Sequence, residues 1–192
     1  QKGIRREGYE AKWRDALRSL FSHIQAKKYP DEVCLKLLTF MQANMPIISR
    51  LLDRAEFLGQ RLQGQTHQFV LCHSDIHAGN VLIGQNDAIF IVDWDEVMLA
   101  PKERDLMFIG AVVANVWNKP REVELFYKGY GETTIHSTII AYYRHERIVQ
   151  DIVEYANALL LSGAGGDDRL EMYNHFVAMF EPRGVVEIAF ES

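Results

Sequence analysis

Residues 71–83 read LCHSDIHAGNVLI, so His73, Asp75, His77 and Asn80 share one short polar stretch bounded by apolar residues on both sides. Further along, Asp93 closes the apolar run AIFIVDW. Imidazole, carboxylate and amide groups this close together admit three chemistries: a metal cage, a proton-transfer site or a hydrogen-bonded turn.

The order H-x-D-x-x-x-x-N at His73, Asp75 and Asn80, followed by Asp93, has the spacing of a kinase catalytic loop and its metal-binding aspartate. A carboxylate at Asp75 can orient a substrate hydroxyl and accept its proton during attack on phosphorus, help worth about 10²–10⁴ in rate. Asn80 offers a neutral oxygen and Asp93 a charged one to Mg²⁺, a hard cation that keeps waters and nucleotide phosphates as its other ligands. A rival reading takes His73, Asp75 and His77 as the H-x-D-x-H of a metal-dependent hydrolase. Zinc sites of that kind need further His or carboxylate ligands, and the sequence offers no evident set.

The elements around the loop must bring these groups together. Tyr9, Trp13, Ala16, Leu17, Leu20, Phe21 and Ile24 recur at helical steps. Asp31 is placed to cap a second helix carrying Val33, Cys34, Leu37, Leu38 and Met41, and Pro46 opens a third carrying Ile47, Ile48, Leu51, Leu52, Ala55 and Leu58. After Gly64 short apolar runs take over. NVLI and AIFIVDW, joined by GQND, predict a β-hairpin over 81–92 that sets Asp93 beside the polar loop. Helices are expected again from Glu103 to Val116, across PREVELFYKGYG, from Ser137 to Leu161, and from Leu170 to Phe180. The fold class read from this pattern is α+β, mainly helical, with the hairpin carrying the loop.

CHSDIHAGN together with IVDWDE resembles the signature of the aminoglycoside phosphotransferase and choline kinase family, relatives of the protein kinases. Ser74 stands where that family usually has Gly, and Trp94 and Asp95 stand where protein kinases have Phe and Gly. HSDIHAGNVL, DWDE, MLAPKERDLMFIG, NVWNKP, YGE, YYRHERIV and VVEIAF extend the likeness to a branch acting on aminocyclitol antibiotics. The resemblance implies transfer of the γ-phosphate of ATP, with GTP as the alternative donor, to a hydroxyl of a cationic acceptor such as spectinomycin. Asp75 would be catalytic, and Asn80 and Asp93 would bind Mg²⁺ and nucleotide. It also implies a cytoplasmic resistance enzyme, with residues 1–192 as its C-terminal lobe. No strand-rich segment before residue 70 supplies the family's N-terminal nucleotide lobe. The isolated chain is therefore expected to turn over little. A degenerate binding module on the same fold remains a rival, although such modules commonly lose one of the three polar residues present here.

Other polar residues carry two readings each. His73 and His77 are expected to brace the loop. Asp105 is either a helix N-terminal charge or, as the resemblance implies, a support that reaches back to the loop. Glu146 falls on an apolar helical stripe, so it must pair with an arginine or line a polar cleft. Asp95 and Glu96 are placed to meet a cationic amine, or simply face solvent. Trp94 is expected to pack behind Asp93; Trp117 would stack on a ring or cover a core edge.

Composition narrows the function classes. A formal charge of −5, with basic residues scattered among acids, argues against a nucleic-acid surface. Cys34 and Cys72 are the only cysteines and form no CxxC pair, which leaves a disulfide framework without support. No apolar run reaches the roughly 18–20 residues of a membrane span.

Overall fold

A computed structural model describes residues 3–24, 29, 31–111, 119–162 and 166–192. The periodic segments become helices because each has one apolar stripe to bury. In α1 (Lys12–Ile24) the stripe is Leu17, Leu20 and Ile24. Helix α2 (Glu32–Ala43) starts at Asp31, whose carboxylate accepts the Cys34 N–H at 2.9 Å, and buries Cys34, Leu37 and Met41. Helix α3 (Met45–Leu62) carries Pro46 in its first turn, where the missing N–H costs nothing, and buries Ile48, Leu51, Ala55, Leu58 and Leu62.

Two strands, β2 (Val70–Cys72) and β5 (Met98–Ala100), pair antiparallel, and β1 (Arg5–Arg6) adds to β5 in parallel. Between them β3 (Val81–Ile83) and β4 (Ile89–Ile91) form the expected hairpin, with Val81 opposite Ile91 and Ile83 opposite Ile89. Asn86 and Asp87 take positive φ in its turn, as a tight reversal requires. β1 and β5 carry no periodic signal: one is two exposed arginines, the other three residues before a proline.

Short α4 (Glu103–Leu106) and α5 (Pro120–Tyr130) follow. The helix expected from Glu103 to Val116 stops at Leu106, and Gly110 turns the chain with φ +74°. The Arg144 guanidinium accounts for the break, donating to Met107 O at 3.3 Å and Ile109 O at 3.0 Å and so satisfying carbonyls a longer helix would have used. Residues 112–118, including Trp117 and the rest of that expected helix, lie outside the described residues.

Helix α6 (Ser137–Ala156) is the central post. Ile139–Tyr143, Ile148, Val149, Ile152, Val153 and Ala156 are buried, a nearly all-round apolar surface that only a helix packed on several sides can have. It contacts α1, α3, α4, α7 (Arg169–Ala178) and α8 (Val185–Phe190), and runs on into a wider π turn at Asn157–Ser162. Helix α8, a six-residue segment, was too short for periodicity to reveal. One core joins α1, α2, α3, α6, α7 and α8; a second gathers Tyr9, Leu58, Leu62, Met107, Phe108 and the start of α6. No helix among the described residues is long and apolar enough to cross a membrane.

Candidate active site

The polar loop leaves β2 and enters β3, and its backbone is held from below. Asp105, in α4, accepts the His73 N–H at 2.9 Å through Oδ2 and the Ser74 N–H at 2.7 Å through Oδ1. Burial pushes the Asp105 carboxyl above its ordinary range, and these two N–H bonds pull it back. Ser74, fully buried, sits at φ +75°, a conformation suited to glycine.

His73 faces inward at 2% exposure. Its Nε2 lies 2.8 Å from Val92 O and its Nδ1 accepts the Asp75 N–H at 3.3 Å, so Nε2 carries the proton and neither nitrogen is left for a metal. The Trp94 ring lies beside it at 4.7 Å, yet Trp94 remains 48% exposed instead of packing behind Asp93. His77 caps the short 3₁₀ turn Ala78–Asn80 by accepting the Gly79 N–H at 3.1 Å. A Cβ on Gly79 would come within 2.8 Å of that imidazole, so a glycine is needed for the cap.

Asp75 and Asn80 are tied through the main chain: the Asn80 side-chain nitrogen donates to Asp75 O at 2.8 Å. This fixes the amide with its nitrogen engaged and leaves the side-chain oxygen as its acceptor. Val92 N donates to Asn80 O at 3.0 Å, extending the hairpin ladder and placing Asp93 next to Asn80's partner. Asp93 is exposed at φ +65°, and its carboxylate takes no hydrogen bond or ion pair among the described residues. A neutral amide oxygen and a free carboxylate at one hairpin end suit a hard cation that brings its remaining oxygen ligands with it. Among the described residues no three His, Cys, Asp or Glu side chains are grouped as a metal cage, and the H-x-D-x-H triplet does not form one.

The remaining acidic candidates have separate surroundings. Asp95 is exposed; Glu96 pairs with Arg5 at 2.7 Å, both more than half exposed. Glu146 is buried against α1, its Oε2 at 3.1 Å from Arg14 Nε, so it stands in the core with an arginine partner. The pair lacks hydrogen-bond alignment, and burial pushes the Glu146 carboxyl up to about 7 in spite of Arg14.

Sequence reasoning passed over Arg147. Its Nη1 forms a short ion pair with Asp75 Oδ1, and its Nε holds Asp151 Oδ1 at 2.9 Å. The spacing of Arg147 and Asp151 was readable as an i,i+4 pair; the reach to Asp75, across 72 residues of sequence, was not. The loop and the hairpin end thus carry a carboxylate held by Arg147, an amide held through its nitrogen, and a carboxylate without a partner among the described residues, group types that phosphoryl transfer to a hydroxyl can use.

Known proteins give this geometry a context. The chain is similar to the crystal structure of spectinomycin phosphotransferase APH(9)-Ia in complex with ADP and spectinomycin, at 50% identity and a TM-score of 0.86 over 97% of this chain and 57% of that one. The AMP-bound complex of the same enzyme matches at 50% identity and a TM-score of 0.86, covering 98% of this chain and 58% of that one. The chain therefore spans a little over half the length of these structures. Among curated proteins none matches it. The fold is that of a kinase-like C-terminal lobe. Residues 3–142 match the model of the phosphotransferase enzyme family, and with the loop, the hairpin and the supporting Asp105 in place, the chain belongs to that family of kinase-type enzymes.

Proposed function

We propose that residues 1–192 are the catalytic and acceptor-binding lobe of an ATP- and Mg²⁺-dependent O-phosphotransferase whose acceptor is spectinomycin or a closely related aminocyclitol. The observation that carries the acceptor is the 50% identity, over 97% of this chain, with an enzyme solved in complex with ADP and spectinomycin. The site supports the reaction type independently of that likeness.

Asp75 is the group that receives the acceptor's proton. As the hydroxyl oxygen bonds to the γ-phosphorus, the bond from phosphorus to the bridging oxygen breaks and its electron pair leaves on ADP; the hydroxyl proton passes to the Asp75 carboxylate. Asn80 and Asp93 would hold Mg²⁺, which when bound neutralises charge on the triphosphate. His73, His77 and Asp105 keep the loop backbone in shape and touch no reacting atom. ATP as donor points to the cytoplasm as the working compartment.

A second lobe fits the surface as well as the chemistry. Leu82 and Phe90, paired on one side of the hairpin, are 49% and 55% exposed, and Ile83 and Ile89, paired on the other, are 76% and 69% exposed, so the hairpin leaves apolar side chains open on both sides, as isolated soluble domains rarely do. A nucleotide-holding lobe seated against the hairpin would cover these side chains and supply further contacts to the phosphates.

The test is a nucleotide-consumption assay with ATP and GTP against spectinomycin, several aminoglycosides and choline, run on the chain alone and on the chain joined to its nucleotide lobe. The joined protein is expected to phosphorylate spectinomycin with ATP, and Asp75→Ala to keep nucleotide affinity while losing most turnover. An unchanged kcat in Asp75→Ala would remove the base, and turnover with choline alone would remove the acceptor.

A further inference from the structure

Asp75 has two carboxylate oxygens, and the structure treats them differently. Oδ1 is bound by Arg147 Nη1; Oδ2 accepts no hydrogen bond among the described residues, and His77 Nε2 lies 3.8 Å from it, beyond hydrogen-bond reach. Arg147 projects from the middle of α6, the most deeply packed helix, and is itself held twice more. Its Nε donates to Asp151 Oδ1 at 2.9 Å one turn along, and its guanidinium lies over the Phe108 ring at 5.6 Å. The same Phe108 ring lies 6.2 Å from the His77 ring, so one aromatic side chain packs against both neighbours of the base. Phe108, Arg147 and Asp151 also line a small cavity between α6, α8 and the turn after α4.

The geometry points to Arg147 as the positioning residue of the phosphotransfer base: it grips Asp75 by Oδ1 so that Oδ2 is the oxygen offered to the acceptor hydroxyl, and Asp151 fixes the guanidinium plane that does so. This rests on the reading of Asp75 as base. A carboxylate on a loop can rotate about two side-chain bonds, and a small misplacement of a catalytic group costs on the order of 10²-fold in rate. An arginine matches a carboxylate with a planar fork of donors, so it fixes the direction in which the Asp75 carboxylate points. The long-range anchor matters because, among the described residues, the short-range hydrogen bonds of the loop end on main-chain atoms of Asp75 and not on its carboxylate. The proton then goes to Oδ2 while Oδ1 stays bound to Arg147, with bond making and breaking at phosphorus as written above.

Two measurements test this. In the two-lobed protein with ATP and spectinomycin, Arg147→Met is expected to lower kcat by about 10²-fold with both KM values within about threefold of the parent. Arg147→Lys should recover about tenfold of that loss, and Asp151→Asn, which leaves Arg147 in place but unbraced, should cost about tenfold. In the 192-residue chain labelled with ¹³C at aspartate carboxyls, the resonance absent from Asp75→Asn identifies Asp75, and it should move in Arg147→Met and in Asp151→Asn. An Asp75 resonance unmoved by both substitutions overturns the proposal, as does a kcat within threefold of the parent in Arg147→Met, or a raised acceptor KM at unchanged kcat. Should Arg147→Met not fold, Asp151→Asn decides both readouts by the same criteria. Absence of turnover in the parent protein would count against the phosphotransfer reading, and the resonance would still report on the anchor.

Discussion

Asp105 Oδ1 accepts the backbone N–H of Ser74 at 2.7 Å, while its other oxygen takes that of His73 at 2.9 Å. One carboxylate from α4 thereby fixes two consecutive peptide groups immediately before the candidate base. An asparagine at 105 would keep a single acceptor oxygen and turn an N–H₂ group toward a donor. Asp105→Asn is expected to cost about 1.5–3 kcal/mol, the usual worth of a hydrogen bond to a charged group, read as a lower denaturation midpoint at unchanged m. In the two-lobed protein the same variant should lower turnover at least about tenfold through the shifted loop.

Ser74 raises the opposite expectation. At φ +75° its Cβ opposes the backbone conformation, and its buried hydroxyl has no partner among the described residues. Left-handed backbone costs a residue with a Cβ about 1–2 kcal/mol, and glycine gives back roughly 0.5–1 kcal/mol of that through its freer unfolded chain. Ser74→Gly should therefore stabilise the chain by up to about 1 kcal/mol, and Ser74→Ala, which keeps the Cβ, should gain less. Thermal melts of the two variants side by side check the order.

Gly59 lies inside α3, where alanine ordinarily stabilises by about 0.5–1 kcal/mol. Here a Cβ would fall 2.8 Å from Arg14 Nη1 and 3.1 Å from its Cζ. That guanidinium is 1% exposed and held by Tyr9 O at 2.9 Å and Glu10 O at 2.8 Å, so it has nowhere to yield. Gly59→Ala is expected to destabilise by about 1–3 kcal/mol, the reverse of the helix-propensity sign, as measured by urea unfolding.

Glu146 gives the chain a pH dependence. Its carboxyl is raised from 4.5 to about 7 in the folded state, chiefly by burial. The folded protein therefore binds this proton more tightly than the unfolded chain does. Stability from this group is complete below pH 4.5 and is lost as pH rises through about 7. At about 1.4 kcal/mol per pH unit the loss is limited to about 3 kcal/mol. Urea midpoints at pH 5 and pH 8 should show the parent losing more stability than Glu146→Gln across that interval.

Local spacing accounts for what could be read early. Helices α1, α2, α3 and α6, the Asp31 cap and the β3–β4 hairpin each follow from residues a few positions apart, because helical and strand periods repeat over that distance. The grouping of Asp75 and Asn80 belongs to the same class, since a short loop and one turn hold both. Strands β1 and β5 escaped because two or three residues make less than one full alternation, and their pairing is decided by the partner strand.

By itself the amino-acid order determined which faces are buried, where the chain turns, and which polar side chains share the loop. It did not determine their partners across the fold. Glu146 and Arg147 are consecutive on α6, yet the helix's 100° step turns one toward Arg14 in the core and the other toward Asp75 on the loop. Only the packing of α6 against α1, α3 and the loop decided that the first is a buried ion pair and the second grips the candidate base, because a helical stripe reports depth from solvent and carries no information about which distant residue arrives there.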